Sequence, residues 1–215
     1  MGTGLRMFQA IYAAICIPDV EENVVKKLLL VVLLLCPLQT FAAQEDWYTY
    51  WSFGFSDNSY PGGWDPVLDA AESQPGIDRT QGAMDIFGFY WPVQDKLNVG
   101  FVISGSWDAF QTPVGDMQLN QYLYAASAMK FFGKEIGDGL FLRGDVGFAK
   151  AAINTDTVFG SYGSSSDTGM GFLLGVGYGI PVSEESRVLL SLNVSNKDID
   201  GENWSAVTFN IGGLW

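Results

Sequence analysis

The chain has 215 residues, 24 of them acidic against 11 basic, no histidine, and a formal net charge of −13. So large an acid excess excludes nucleic acid as a partner, and the missing histidine removes the commonest general base from any proposed chemistry. Hydrophobic residues make up 48% of the chain and aromatics 14%, enough apolar matter for one folded domain.

Lys26-Lys27 precede an apolar run from Leu28 to Cys36, followed by Thr40-Phe41-Ala42 with small residues where a signal peptidase reads. The pattern predicts a signal peptide within residues 1–42, cleaved after Ala42, and a single domain over 43–215. The apolar run falls short of the roughly 20 residues that a membrane-spanning helix needs. Residues 1–24 include Asp19, Glu21 and Glu22 and read as an extension upstream of the true start, with Val25 as the natural beginning. Both cysteines, Cys16 and Cys36, fall in the leader, so the exported domain has no disulfide. Leu35 stands where a lipobox needs a small residue, which argues against lipidation.

From Asp46 onward, short alternating segments are separated by Gly, Pro, Asp, Asn and Ser clusters, and no helical period lasts beyond a turn or two. Strands are predicted near 47–55, 82–91, 96–108, 118–131, 139–153, 169–180, 186–196 and 204–215. In the second, Asp85 shares a face with Phe87 and Phe89, an unresolved conflict. The third sets Leu97, Val99, Phe101, Ile103 and Trp107 against Asn98, Gly100, Ser104, Ser106 and Asp108. The fourth has two defensible phases, of which Leu119, Leu123 and Met129 outward with Lys130 inward is preferred. In the fifth, Leu140, Leu142, Val146 and Phe148 oppose Arg143, Asp145 and Gly147. The sixth sets a bulky row from Phe172 to Ile180 against Gly175, Gly177 and Gly179, and the seventh sets Val188, Leu190, Leu192 and Val194 against Arg187, Ser191 and Asn193.

These strands predict an all-β chain forming an eight-stranded antiparallel up-and-down transmembrane β-barrel. A soluble lipocalin-like barrel would turn its bulky apolar face inward. Eight strands leave too narrow an interior for that, so the bulky face is expected to meet lipid. Trp and Tyr near strand ends, such as Trp47, Trp51, Trp91, Trp107 and Trp204, fit aromatic girdles. Inside, Asp85, Lys130, Arg143, Asp145 and Arg187 are expected to form a polar network that plugs the lumen. The competing readings are a narrow pore and a lateral route for a hydrophobic solute. Connections at 92–95, 132–138 and 181–185 are short, while those at 56–81, 109–117, 154–168 and 197–203 are mostly longer and acidic. The acid reads as a solvated, repulsive outer surface, or as a means of bridging lipopolysaccharide phosphates through divalent ions. Tyr60 and Trp64 on the first long connection are the candidate partner surface.

Val207, Phe209 and Ile211 alternate along the last strand, which ends on Trp215. Together these features resemble the family of small eight-stranded bacterial outer-membrane β-barrels, over about residues 46–215. The resemblance implies that Val207, Phe209, Ile211 and Trp215 form the recognition signal for the barrel-assembly machinery, although Gly213 departs from the usual bulkier residue. It implies outer-membrane lipid and lipopolysaccharide as surroundings, a monomer, and no metal or cofactor. Enzymes with barrels of this kind resemble one another in using a catalytic histidine. This chain has none, and Ser-Lys chemistry on Lys130 or Lys150 is all that is left, so no enzyme is expected. The leader reading is directly testable: N-terminal sequencing of the exported protein is expected to begin at Ala43.

Overall fold

Alternation of bulky and small residues at a period of two is what a strand with unlike faces requires, and it governs most of this chain. The structure, a computed structural model, describes residues 47–113, 115–157 and 160–215. The predicted leader lies outside the described residues. In chain order the elements are β1 (Tyr48–Ser59), α1 (Trp64–Glu72), β2 (Asp78–Gln94), β3 (Leu97–Thr112), β4 (Gly115–Phe131), β5 (Gly139–Thr157), β6 (Gly160–Ser165), β7 (Gly169–Pro181), β8 (Arg187–Ile199) and β9 (Glu202–Leu214). Each strand pairs antiparallel with its neighbour, and β9 returns to β1 from Tyr50↔Leu214 to Ser59↔Ser205. The short β6 pairs with the far end of β5, whose near end pairs with β7, so the closed barrel has eight walls. Over the levels where all eight walls pair, closure leaves the backbone no open edge.

The two faces divide as expected. Phe53, Phe55, Leu142, Leu174 and Phe209 are exposed on the outside, while Ser52, Asn98, Ser104, Arg143, Asp145 and Asn193 are buried within. The conflict in the second strand is resolved by a β-bulge. Register slips by one residue between Ile86 and Phe89 against β3, and between Asp85 and Gly88 against β1. The extra residue is Phe87, whose φ of 52° lies in the left-handed region that bulky residues rarely adopt. The bulge resets the phase, so Asp85 points inward while Phe87 is 67% exposed outside.

The preferred phase of the fourth strand is corrected. Leu119, Leu123 and Met129 are buried inside, each with 1% exposure or less, and Lys130 lies on the outer face. The room for them comes from β7. A Cβ on Gly171 would fall 3.1 Å from the Leu123 Cδ1, and one on Gly177 would fall 2.4 Å from the Phe141 ring. Glycines on β7 therefore leave room for Phe141 of the adjacent β5 and for Leu123 of β4.

Three of the long connections are also corrected. Strands run on into them: β3 reaches Thr112 and β4 begins at Gly115, β5 reaches Thr157 and pairs with β6, and β8 and β9 are joined through Asp200-Gly201, two residues that both have positive φ as a two-residue hairpin turn requires. The first connection alone stays long, and it holds α1, a helix the sequence reading did not anticipate. Pairing of β1 with β2 stops at Gly54↔Ala83 and that of β5 with β7 at Ala149↔Gly169, and beyond those levels β2 to β6 continue paired to one another as a projecting wall.

Replacing Gly177 by Val should lower stability by roughly 1–3 kcal/mol, because a side chain there meets both the Phe141 ring and the Leu190 carbonyl. A Cβ on Gly144 meets only the Leu174 Cδ2, at an ordinary contact distance of 3.9 Å, and Gly144→Ala should stay within about 0.5 kcal/mol of the parent. Urea midpoints of the two variants, refolded in micelles, make the comparison.

Candidate functional site

The inward face of β1 presents Tyr50 and Ser52, that of β2 Asp85, that of β3 Ser104, and that of β5 Arg143 and Asp145. They converge in the middle of the lumen. Arg143 donates from Nη1 to Asp85 Oδ2 at 2.8 Å, from Nη2 to Asp85 Oδ1 at 3.0 Å, and from Nη2 to Asp145 Oδ2 at 2.6 Å. Its guanidinium lies 5.4 Å from the Tyr50 ring centroid. Asp85 also accepts from Ser52 at 2.6 Å, Ser104 at 2.5 Å, Tyr50 at 3.1 Å and Asn210 at 3.3 Å. Asp145 accepts from Ser127 at 2.5 Å, and Ser127 exchanges a hydrogen bond with Tyr90 at 2.8 Å. Burying charge this deeply is tolerable only when every oxygen and N–H has a partner, and here the partners come from β1, β2, β3, β4, β5 and β9.

Of the five residues expected in the network, Asp85, Arg143 and Asp145 meet. Lys130 does not, since it faces outward between Leu97 and Leu142 of the flanking strands. Arg187 is buried elsewhere, near the terminus-bearing end, donating to the Ile136 and Glu184 carbonyls and to Glu135 Oε1 at 3.3 Å. Lys197 was missed because its position read as a loop. It is 3% exposed, and its ammonium donates to Ser195 Oγ at 2.9 Å and Gln121 Oε1 at 3.2 Å. The triad carries one cation against two carboxylates, and Lys197 is a second buried cation in the lumen, held by neutral partners. A cavity of about 20 Å³ lined by both Asp85 and Lys197 has room for a single water molecule.

At the far end a second cluster surrounds Asp108. Arg79 Nε donates to it at 2.7 Å, Asn58 Nδ2 at 3.0 Å, and the Tyr60 hydroxyl donates as well. Burial, then the Asp108 carboxylate, holds the Tyr60 hydroxyl protonated far above the usual tyrosine range. Tyr60 is thus 5% exposed and packed edge-on against Trp204, not a free partner surface; Trp64, 44% exposed, remains accessible. On β9, Val207, Phe209 and Ile211 face outward, and the Trp215 ring stacks on Trp51 at 5.4 Å.

Removing Arg143 alone leaves two carboxylates buried without their cation. Arg143→Met should cost about 3–5 kcal/mol, while replacing Asp85, Arg143 and Asp145 together with apolar residues should recover much of that loss. Denaturation midpoints decide it, and an unchanged midpoint for Arg143→Met would show that the cluster carries no weight.

No protein-family model matches the chain, and comparison with curated proteins finds no match. Solved structures do match in fold. Ail, the attachment invasion locus protein of Yersinia pestis, crystallised with the heparin analogue sucrose octasulfate, superposes with a TM-score of 0.51 at 10% identity, covering 79% of this chain and 99% of Ail. Neisserial surface protein A gives 0.48 at 13% identity over 78% of this chain and 95% of its own. The outer membrane protein OprG of Pseudomonas aeruginosa gives 0.40 at 12% identity, over 79% and 94%. The fold is that of the small eight-stranded outer-membrane β-barrels.

Proposed function

We propose that this chain is an integral outer-membrane barrel with a sealed lumen, acting in envelope structure or surface interaction through its projecting end. Both termini of the barrel then lie at the periplasmic side, and the apolar outer belt is covered by lipid and lipopolysaccharide. Val207, Phe209, Ile211 and Trp215, presented on the outer face and at the end of β9, are the recognition signal for the barrel-assembly machinery. The observation that carries the reading is the Asp85–Arg143–Asp145 cluster, which ties six strands together across the lumen where a solute would have to pass.

Surface action points to the wall of β2 to β6. Across it Asp78, Gln111, Asp116, Asp156 and Ser161 are successive cross-strand neighbours, all exposed. Asp116 and Asp156 stand directly opposite one another, and Arg79 at that end is already held by Asp69, Glu72 and Asp108. Such a surface repels a polyanion like the sulfated ligand of Ail, so shared architecture with Ail does not carry that ligand class here. The chain has no histidine, and Lys130 and Lys150 both face outward from the wall; the lysine that does lie beside a serine, Lys197 at 2.9 Å from the Ser195 Oγ, is enclosed within the lumen.

Reconstituted into planar bilayers, the protein should show no stepwise conductance. Reproducible conductance at neutral pH would overturn the sealed lumen in favour of the narrow pore. A deletion strain should lose surface binding or envelope integrity and regain it with the parent gene; a strain unaltered in both would remove the surface role.

A further inference from the structure

The mouth of the barrel is not polar throughout. Above Asp108 the inward residues of β3, β4, β5 and β9 are Phe110, Met117, Leu119, Ile153 and Trp204, which form an apolar cup. Its contents come from the chain itself. Leu68, the buried residue of α1, packs into the cup beside Tyr60. The Trp204 Nε1 is buried in the same region with no hydrogen-bond partner. An indole N–H enclosed without an acceptor is costly, and a ligand oxygen is one remedy.

The segment that fills the cup is weakly held. Gly62 and Gly63 before α1 and Gly76 after it all have positive φ, so both connections turn where glycine alone is comfortable. At nine residues, with Gly63 at the N-cap and no side-chain cap, α1 has little stability of its own. It meets the wall through Arg79, which pairs with Asp69 at 3.1 Å and Glu72 at 3.3 Å, carboxylates that are 70% and 52% exposed. Exposed pairs of this kind are the weakest class of ion pair. The stronger Arg79–Asp108 bond holds the arginine to the wall, not the helix.

We propose that the cup is a binding site for a small neutral amphiphile, and that α1 is the lid whose Leu68 occupies the site when it is empty. The ligand's alkyl body replaces Leu68 among Phe110, Met117 and Leu119, and its hydroxyl or carbonyl oxygen accepts from Trp204 Nε1. An anionic head is disfavoured by Asp108 below and by Asp65, Asp69 and Glu72 on the lid. Because the Arg143 cluster closes the lumen beneath, the ligand is held at the mouth and released there. This inference stands apart from the surface role, since it concerns the lumen side of the wall.

The test uses the protein in phospholipid nanodiscs with ¹⁵N-labelled tryptophan, titrated with 1-octanol. The Trp204 indole resonance, assigned by its loss in Trp204→Phe, should shift and saturate. Trp51 and Trp215 face the lipid and report any non-saturating partition of octanol into the bilayer. Leu68→Ala removes the internal competitor and should bind octanol about tenfold more tightly, and Asp69→Asn with Glu72→Gln, which frees the lid while leaving Arg79 on Asp108, should also tighten binding. Leu68→Met keeps an apolar plug and should behave as the parent does. A Trp204 resonance that does not move, or equal affinities in the parent and Leu68→Ala, would overturn the proposal. So would Leu68→Met tightening as much as Leu68→Ala, because competition would then not be the cause.

Discussion

Eight strands closed on themselves leave a lumen only one layer of side chains deep, and every inward residue of this chain is placed under that constraint. A large residue on one wall needs a small one facing it. The glycines of β7 meet this need: Gly171 leaves room for Leu123, Gly177 for the Phe141 ring, and Gly175 lies beside Arg143 and Asn193. With those glycines in place, β4 can point Leu123 inward, and β5 can bring Phe141 and the Arg143 guanidinium into the lumen.

The same narrowness decides the electrostatics. Charges held in a dry lumen must find partners within a few ångströms, and Arg143 finds Asp85 and Asp145 on two strands. One cation between two carboxylates leaves an excess negative charge, which the hydroxyls of Ser52, Ser104, Ser127 and Tyr50 stabilise by donating to the carboxylate oxygens. Apolar layers lie on either side, with Phe131, Phe141 and Leu214 towards the terminus-bearing end and the Phe110–Leu119 cup towards the mouth. The polar middle holds the wall together, and Leu68 of α1 fills the mouth.

The sequence was legible where alternation was strict. The faces of β3, β5, β7 and β8 follow directly from the order of bulky and small residues, and they placed Arg143, Asp145 and Ser104 correctly. It failed where a phase rests on something outside the strand. Asp85 looked misplaced beside Phe87 and Phe89 because a bulge is a relation between two strands, visible only in their register. For β4, neither phase is clean in isolation, and the glycines that decide between them lie two walls away in the chain order. Strand ends were set too short, since polar residues such as Asp116, Asp156 and Lys197 look like loop residues until pairing carries the ladder through them. That error hid Lys197 and the cup, and it made Tyr60 look free.

Composition and periodicity by themselves determined the class of fold, the number of walls and which face meets lipid, because those depend on local alternation and on the terminal aromatic strand. Only the tertiary structure decided which charges meet, where Lys130 and Arg187 belong, and that Leu68 fills the mouth. Those outcomes depend on register, on a single inserted residue at Phe87, and on side chains from distant strands competing for one narrow space. A period of two specifies a face, and closure of the barrel specifies what that face confronts.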